Sequence, residues 1–138
     1  CLRHQPIYIW SSNILNPYHS LTLSVDLLEK QQRLSEDDAR RIYIQIVYAL
    51  AFCQSNNVCH RDIKLENVLV DPGNLFTKLT DFGFSETTGD HIMSEKMNTF
   101  CGTLYYLAPE ILETSGYSGF HTDMWASGVL LYILTTGR

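Results

Sequence analysis

The sequence predicts a mainly α-helical fold carrying one small β-hairpin, and three stretches support that expectation. "EDDARRIYIQIVYALAFCQ" repeats apolar residues at helical spacing. "DMWASGVLLYILTTGR" is an apolar run of helix length that stops near Gly137. "NVLV" and "FTKLTD" are short β-type runs separated by Asp71, Pro72, Gly73 and Asn74, a strong turn cluster. At 138 residues the chain has the length of one ordinary domain, enough to bury one core and not two of that size. Its hydrophobic fraction of 45% and aromatic fraction of 12% place it with globular rather than disordered chains.

Residues 1–23 mix aromatics, Asn, Ser and Pro without a lasting period; a short strand over 7–10 is the one element suggested there. Over 23–32, Leu23, Leu27 and Leu28 with polar residues between them predict a short helix. Ser35 is a good N-cap for the next helix. Asp38 holds the capping-box position with a shorter acid than usual, and the acids at 36–38 suit the positive end of the helix dipole. Ala39, Ile42, Ile46, Ala49 or Leu50, and Cys53 then recur over about five turns until "SNN" ends the run. In the hairpin, a polar cluster at 60–64 precedes one outer end and another at 81–83 follows the other, which brings two carboxylates distant in sequence to one place. The Ser/Thr-rich stretch 84–107 is weakly periodic and reads as a long functional or mobile loop. The final apolar run reads as a buried helix.

The net charge of −5, from 15 acids and 10 bases without a long basic run, gives no basis for nucleic-acid binding through a basic face. Cys1, Cys53, Cys59 and Cys101 have no paired C-x-x-C spacing, so thiols in a reducing compartment outweigh metal ligation. No secretory signal is evident, and the longest apolar run, 125–134, is too short for a bilayer of about 30 Å. A cytoplasmic or nuclear protein without membrane attachment is expected. Cys1 in place of Met suggests that the true start lies upstream.

The chemistry concentrates in "CHRDIKLENVLV", where His60, Arg61 and Asp62 are followed by Lys64 and Asn67 and then by apolar Val68, Leu69 and Val70. "HRDIKLEN", "DFG" at 81–83 and "APE" at 108–110 occur in the order and spacing of the catalytic loop, the metal-binding motif and the end of the activation segment of eukaryotic protein kinases. From about residue 25 to 138 the chain resembles the C-lobe of that α+β two-lobe fold. "HRDIKLENVL" and "GTLYYLAPEIL" are most similar to the calcium/calmodulin-dependent and AMP-activated kinase-like groups. Residues 24–138 are thus expected to be a partial kinase catalytic domain, with 1–23 an unplaced remnant of the small lobe or hinge.

The resemblance implies ATP and Mg²⁺ as cofactors, protein Ser/Thr hydroxyls as acceptors, and a role for each residue. Phosphoryl transfer depends on positioning and charge neutralisation more than on covalent chemistry. Asp62 orients the hydroxyl or accepts its proton, and Lys64 stabilises the transferring group. Asn67 and Asp81 supply oxygen ligands suited to hard Mg²⁺. Lys64 and Thr103, the latter bonding to the aspartate and lysine, mark Ser/Thr specificity. His60 stacks with Phe82 in the hydrophobic spine, and Asp123 holds the catalytic-loop backbone with Trp125 packed nearby. Arg61 binds a phosphate on the activation loop, for which Thr99 is the candidate, modified by an upstream kinase, with Ser94 a rival. In the family Glu110 pairs with an arginine of a later helix that these residues do not include, so it is expected to lack its partner here, and the plain reading of Gly83 and Gly102 is that they permit unusual backbone angles.

Taken singly, several of these residues have plainer readings: His60 a satisfied core histidine, Arg61 a surface cation, Glu110 a helix-start acid, Asp123 an N-cap. The chain also departs from the family. It has no G-x-G-x-x-G, no V-A-I-K-like lysine, no recognisable hinge, and Leu65 where proline is common. These 138 residues alone are therefore expected to transfer phosphate slowly or not at all. A truncated or pseudokinase-like binding module and a small-molecule kinase of related fold are the alternative readings.

Overall fold

A computed structural model describes residues 21–87, 97, 101–112 and 116–138, and the predicted helices and hairpin assemble there around one main core. β1 (Thr22–Leu23) leads into α1 (Ser24–Gln31), which turns Leu27 and Leu28 inward and ends where Gln32 takes φ 64°. In α2 (Glu36–Ser55) the stripe Ala39, Ile42, Ile46, Leu50 and Cys53 is buried, which settles the choice between Ala49 and Leu50. Ser35 caps this helix: its Oγ accepts the Asp38 N–H at 3.1 Å and donates to the Asp38 carboxylate at 2.9 Å. The "SNN" stop works through Asn57, which adopts φ 58°, a left-handed conformation that asparagine tolerates better than most residues.

β2 (Val58–Cys59) then carries the chain to the "HRDIKLEN" stretch, and a 3-10 turn at Leu65–Asn67 delivers it into β3 (Val68–Val70). β3 pairs antiparallel with β4 (Thr77–Leu79) in the register Val68↔Leu79, the expected hairpin. Two pairings were not expected. β1 joins the other edge of β3, and β2 pairs antiparallel with β5 (Glu86–Thr87), Cys59 facing Glu86. Two-residue strands carry no alternation, and their partners are distant in sequence, so no local pattern announces them.

α3 (Gly119–Thr136) begins four residues before the apolar run. Gly119 allows that start, because a Cβ there would lie 2.6 Å from Cys59 Sγ. Cys59, Met97, Tyr117 and Phe120 form a second small core at this contact. The reading of the apolar run as a buried helix is corrected. Ala126, Ser127, Leu130 and Leu134 are buried, whereas Trp125 is 49% and Tyr132 60% exposed, because the packing among the described residues covers one face only. The suggested strand over 7–10 lies outside the described residues.

Gly137 closes α3 at φ 76°, its N–H donating to the Ile133 carbonyl at 2.8 Å. A Cβ there would sit 1.9 Å from the carbonyl oxygen of Gln32. Gly137→Ala is therefore expected to destabilise the protein that carries this segment by about 2 kcal/mol or more, since a left-handed penalty adds to a backbone clash. Urea unfolding measures this, and an unchanged midpoint would contradict it.

Candidate active site

The loop from His60 to β3 is held from below by α3. Asp123 accepts the His60 N–H on Oδ2 at 2.7 Å and the Arg61 N–H on Oδ1 at 2.8 Å. Burial pushes its carboxyl up to about 6, against the downward pull of those two N–H groups. Asp123 lies one turn inside α3 and is no N-cap; Ser118 holds that position. Arg61 itself takes φ 66°, a conformation uncommon for a residue of its size, which the Asp123 bonds help to fix.

Asp62, 3% exposed, follows immediately and gathers three donors. Lys64 Nζ lies 2.6 Å from Oδ2, Asn67 Nδ2 donates to the same oxygen at 2.9 Å, and Thr103 Oγ1 donates to Oδ1 at 3.0 Å. Lys64 also donates to Thr103 Oγ1 at 3.2 Å, and Asn67 Nδ2 to the Asp62 carbonyl at 2.8 Å. Burial raises the Asp62 carboxyl pKa, but the bonds from Lys64, Thr103 and Asn67 together outweigh it and hold the group below its ordinary range. The same bond to Asp62 raises the Lys64 ammonium. An ionised carboxylate thus sits in a pocket wall with its counter-charge in contact.

The second carboxylate, Asp81, is brought alongside by the hairpin. The Thr80 N–H donates to the Asn67 carbonyl at 2.9 Å, which sets Thr80 opposite Asn67 at the strand ends and Asp81 one residue beyond. His60 Nε2 donates to the Thr80 carbonyl at 3.0 Å, while Nδ1 accepts the Asp62 N–H at 3.3 Å. These partners select the neutral Nε2–H tautomer, and burial lowers the pKa of the ring in the same sense. The His60 and Phe82 rings pack at 4.5 Å between centroids.

Glycine geometry differs from expectation at one of two places. Gly102 has φ 106°, but Gly83 is not in the left-handed region; Asp81 is, at φ 59°, with the Gly83 N–H donating back to its Oδ1 at 3.2 Å. The Asp81 side chain carries that Asx-type turn, and Gly83 stays outside the left-handed region.

Arg61 Nε donates to the Phe84 carbonyl at 2.6 Å, and its guanidinium forms an ion pair with Glu86. Thr99 and Ser94 lie outside the described residues. Glu110, in a 3-10 turn at Pro109–Leu112, makes no ion pair among the described residues. Trp125, expected near Asp123, is half-exposed on the opposite flank of its helix turn. Two contributors went unforeseen. Tyr106 OH accepts the Leu65 N–H at 3.3 Å, and Glu86 reaches Arg61 from 25 residues away. Repeated tyrosines in "GTLYYLAPE" were a weak signal for the first, and nothing local signals the second.

Among the described residues no cluster of three or more His, Cys, Asp or Glu side chains can hold a metal by itself. The donor set nevertheless fits Mg²⁺, which binds through one or two protein oxygens plus substrate phosphates and water. Asn67 commits its NH₂ to Asp62, so its Oδ1 is the atom it offers a cation, and the Asp81 carboxylate is exposed.

A family model described as "Protein kinase domain" matches residues 11–138, further toward the start than the motifs alone indicated. CBL-interacting protein kinase 25 of Oryza sativa subsp. japonica is 49% identical over 76% of the chain and 20% of its own length. CBL-interacting serine/threonine-protein kinase 15 of Arabidopsis thaliana is 45% identical over 76% of the chain and 25% of its own. A probable serine/threonine-protein kinase, MARK-B, of Dictyostelium discoideum is 44% identical over 82% and 15%. The chain therefore spans a quarter or less of these relatives.

Proposed function

The chain belongs to the protein kinase family, and from that premise we propose that it carries the phosphoryl-transfer centre of a serine/threonine protein kinase, acting on protein hydroxyls. One observation carries the reading: a buried, ionised Asp62 held by Lys64, Asn67 and Thr103 at once. A carboxylate has about four acceptor positions, and these bonds use three. The fourth, on Oδ1, is where a substrate hydroxyl docks.

When bound, ATP supplies the phosphoryl group and Mg²⁺ offsets its charge. Asp62, held below its ordinary range, is a weak base at neutral pH. It therefore chiefly orients the hydroxyl and receives its proton late, at Oδ1. Lys64 stands beside it to meet the charge of the transferring group, and Thr103 ties the activation segment to both. Asn67 Oδ1 and the Asp81 carboxylate would hold the cation. His60, Phe82, Gly83, Gly102 and Asp123 support this centre, and Arg61 is the receptor for a phosphate placed on Thr99 by an upstream kinase.

Residues 24–138 are then the large-lobe part of the catalytic domain, and 1–23 belong to the small lobe or hinge. The 138 residues contain no Gly-rich loop or strand lysine to grip the phosphates, so this stretch alone is expected to transfer phosphate slowly or not at all. Free Cys53, Cys59 and Cys101 fit a reducing compartment, cytoplasm or nucleus. No helix among the described residues is long and apolar enough to cross a membrane.

The test offers the full polypeptide γ-labelled Mg·ATP with Ser/Thr peptides, Tyr peptides and small amino sugars side by side. Label is expected on Ser/Thr peptides. Label on sugars alone would favour a small-molecule kinase, and none on any acceptor a binding module.

A further inference from the structure

Arg61 is the junction of the site. Its N–H is held by Asp123 on α3, and its carbonyl abuts Gly102, where a Cβ would lie 3.0 Å from that oxygen. Its side chain, 11% exposed, reaches the Phe84 carbonyl and the Glu86 carboxylate. Glu86 stands on β5 opposite Cys59 of β2, the residue before His60. The ion pair is therefore a strap across the short sheet from which the catalytic loop emerges. With Arg61 held this way, Asp62 already has its three donors and the activation segment is docked on it through Thr103.

From this geometry we propose that Glu86 is a positioning residue of the phosphoryl-transfer centre: its carboxylate occupies the Arg61 guanidinium, aligning Asp62 from within the chain. An acid on β5 and a phosphate on the activation segment are then alternative occupants of one cation. Two such anions cannot both be matched by a single guanidinium charge, so a phosphate gains Arg61 only as Glu86 releases it. The enzyme thus has substantial activity before loop phosphorylation and gains modestly from it. The other arrangement, in which Glu86 inhibits by sequestering Arg61, predicts the opposite response to its removal. The assembled Asp62–Lys64–Thr103 cluster speaks against it.

The inference rests on the kinase reading for its kinetic consequence and on contact geometry for the strap, and the two are read separately. In the full polypeptide, treated with phosphatase, Glu86→Gln is expected to lower kcat about tenfold, KM for ATP and peptide holding within about twofold. Glu86→Asp is expected to recover most of the loss. In an Arg61→Met background Glu86→Gln is expected to add nothing. Phosphorylation of the loop is expected to narrow the gap between wild type and Glu86→Gln. Independently of turnover, modification of Arg61 by phenylglyoxal, followed by peptide mass, is expected to run at least about fivefold faster in Glu86→Gln. Raised activity in Glu86→Gln, additive losses in the double variant, or a loss that persists equally after phosphorylation would overturn the proposal. An unchanged Arg61 modification rate would overturn it even in a protein that transfers no phosphate, and a silent wild type with a faster rate would defeat the kinase reading alone.

Discussion

Asp62→Asn in the full polypeptide is expected to lower phosphoryl transfer by about 10³-fold or more, within and beyond the range that a positioned acid or base contributes. The geometry explains the size of the effect. Asparagine presents one oxygen and one NH₂ where the carboxylate presents two oxygens, so it cannot accept from Thr103 on one side and from Lys64 and Asn67 on the other. The remaining acceptor position on Oδ1 is lost or turned into a donor, and the hydroxyl loses its orientation as well as the destination of its proton. The fold is expected to survive, because the loop backbone is held by Asp123 and not by Asp62. Full activity with an intact fold would remove Asp62 from the centre.

Asp123→Asn is expected to change both activity and the pH dependence of stability. With the wild-type carboxyl raised from 3.8 to about 6 by burial, the folded chain holds its proton over a window where the unfolded chain has released it. The stability this group contributes is fully present below about pH 4 and is lost as the pH rises through about 6, a change of about 3 kcal/mol. Asparagine has no such titration, and it leaves one of the two backbone N–H groups facing a donor, at a cost of about 1–3 kcal/mol. The wild type is therefore expected to be the more stable of the two near pH 4, with the difference shrinking toward pH 6. Urea midpoints at pH 4, 5, 6 and 7 measure it, and a difference that widens with pH would contradict it. At neutral pH the loosened loop is expected to lose about tenfold or more in turnover.

The helices were legible because their signals are local. The Ser35 cap and the five-residue stripe of α2 lie within one stretch of chain, and so does the turn cluster that makes the β3–β4 hairpin. The site sequence was legible through motif order, since "HRDIKLEN", "DFG" and "APE" each keep fixed internal spacing. The two-residue strands, the Tyr106 bond to Leu65 and the Glu86 strap on Arg61 were not legible. Each joins residues tens of positions apart without a repeating pattern. Gly83 shows a subtler failure: glycine is read as the residue with unusual angles, yet Asp81 adopts them because its own side chain bonds two residues ahead. The exposed flank of α3 was misread because hydropathy reports composition and not which neighbours are present to cover it.

A structure of the full polypeptide with Mg²⁺, a non-hydrolysable ATP analogue and a serine peptide addresses the proposed role of Asp62 at atomic detail. The seryl hydroxyl is expected within about 2.6–3.2 Å of Asp62 Oδ1, with Thr103 still bonded there and Lys64 turned toward the γ-phosphate. A hydroxyl bonded to any other side chain, with Asp62 still fully engaged by Lys64, Asn67 and Thr103, would show that this cluster braces the loop and does not handle the substrate.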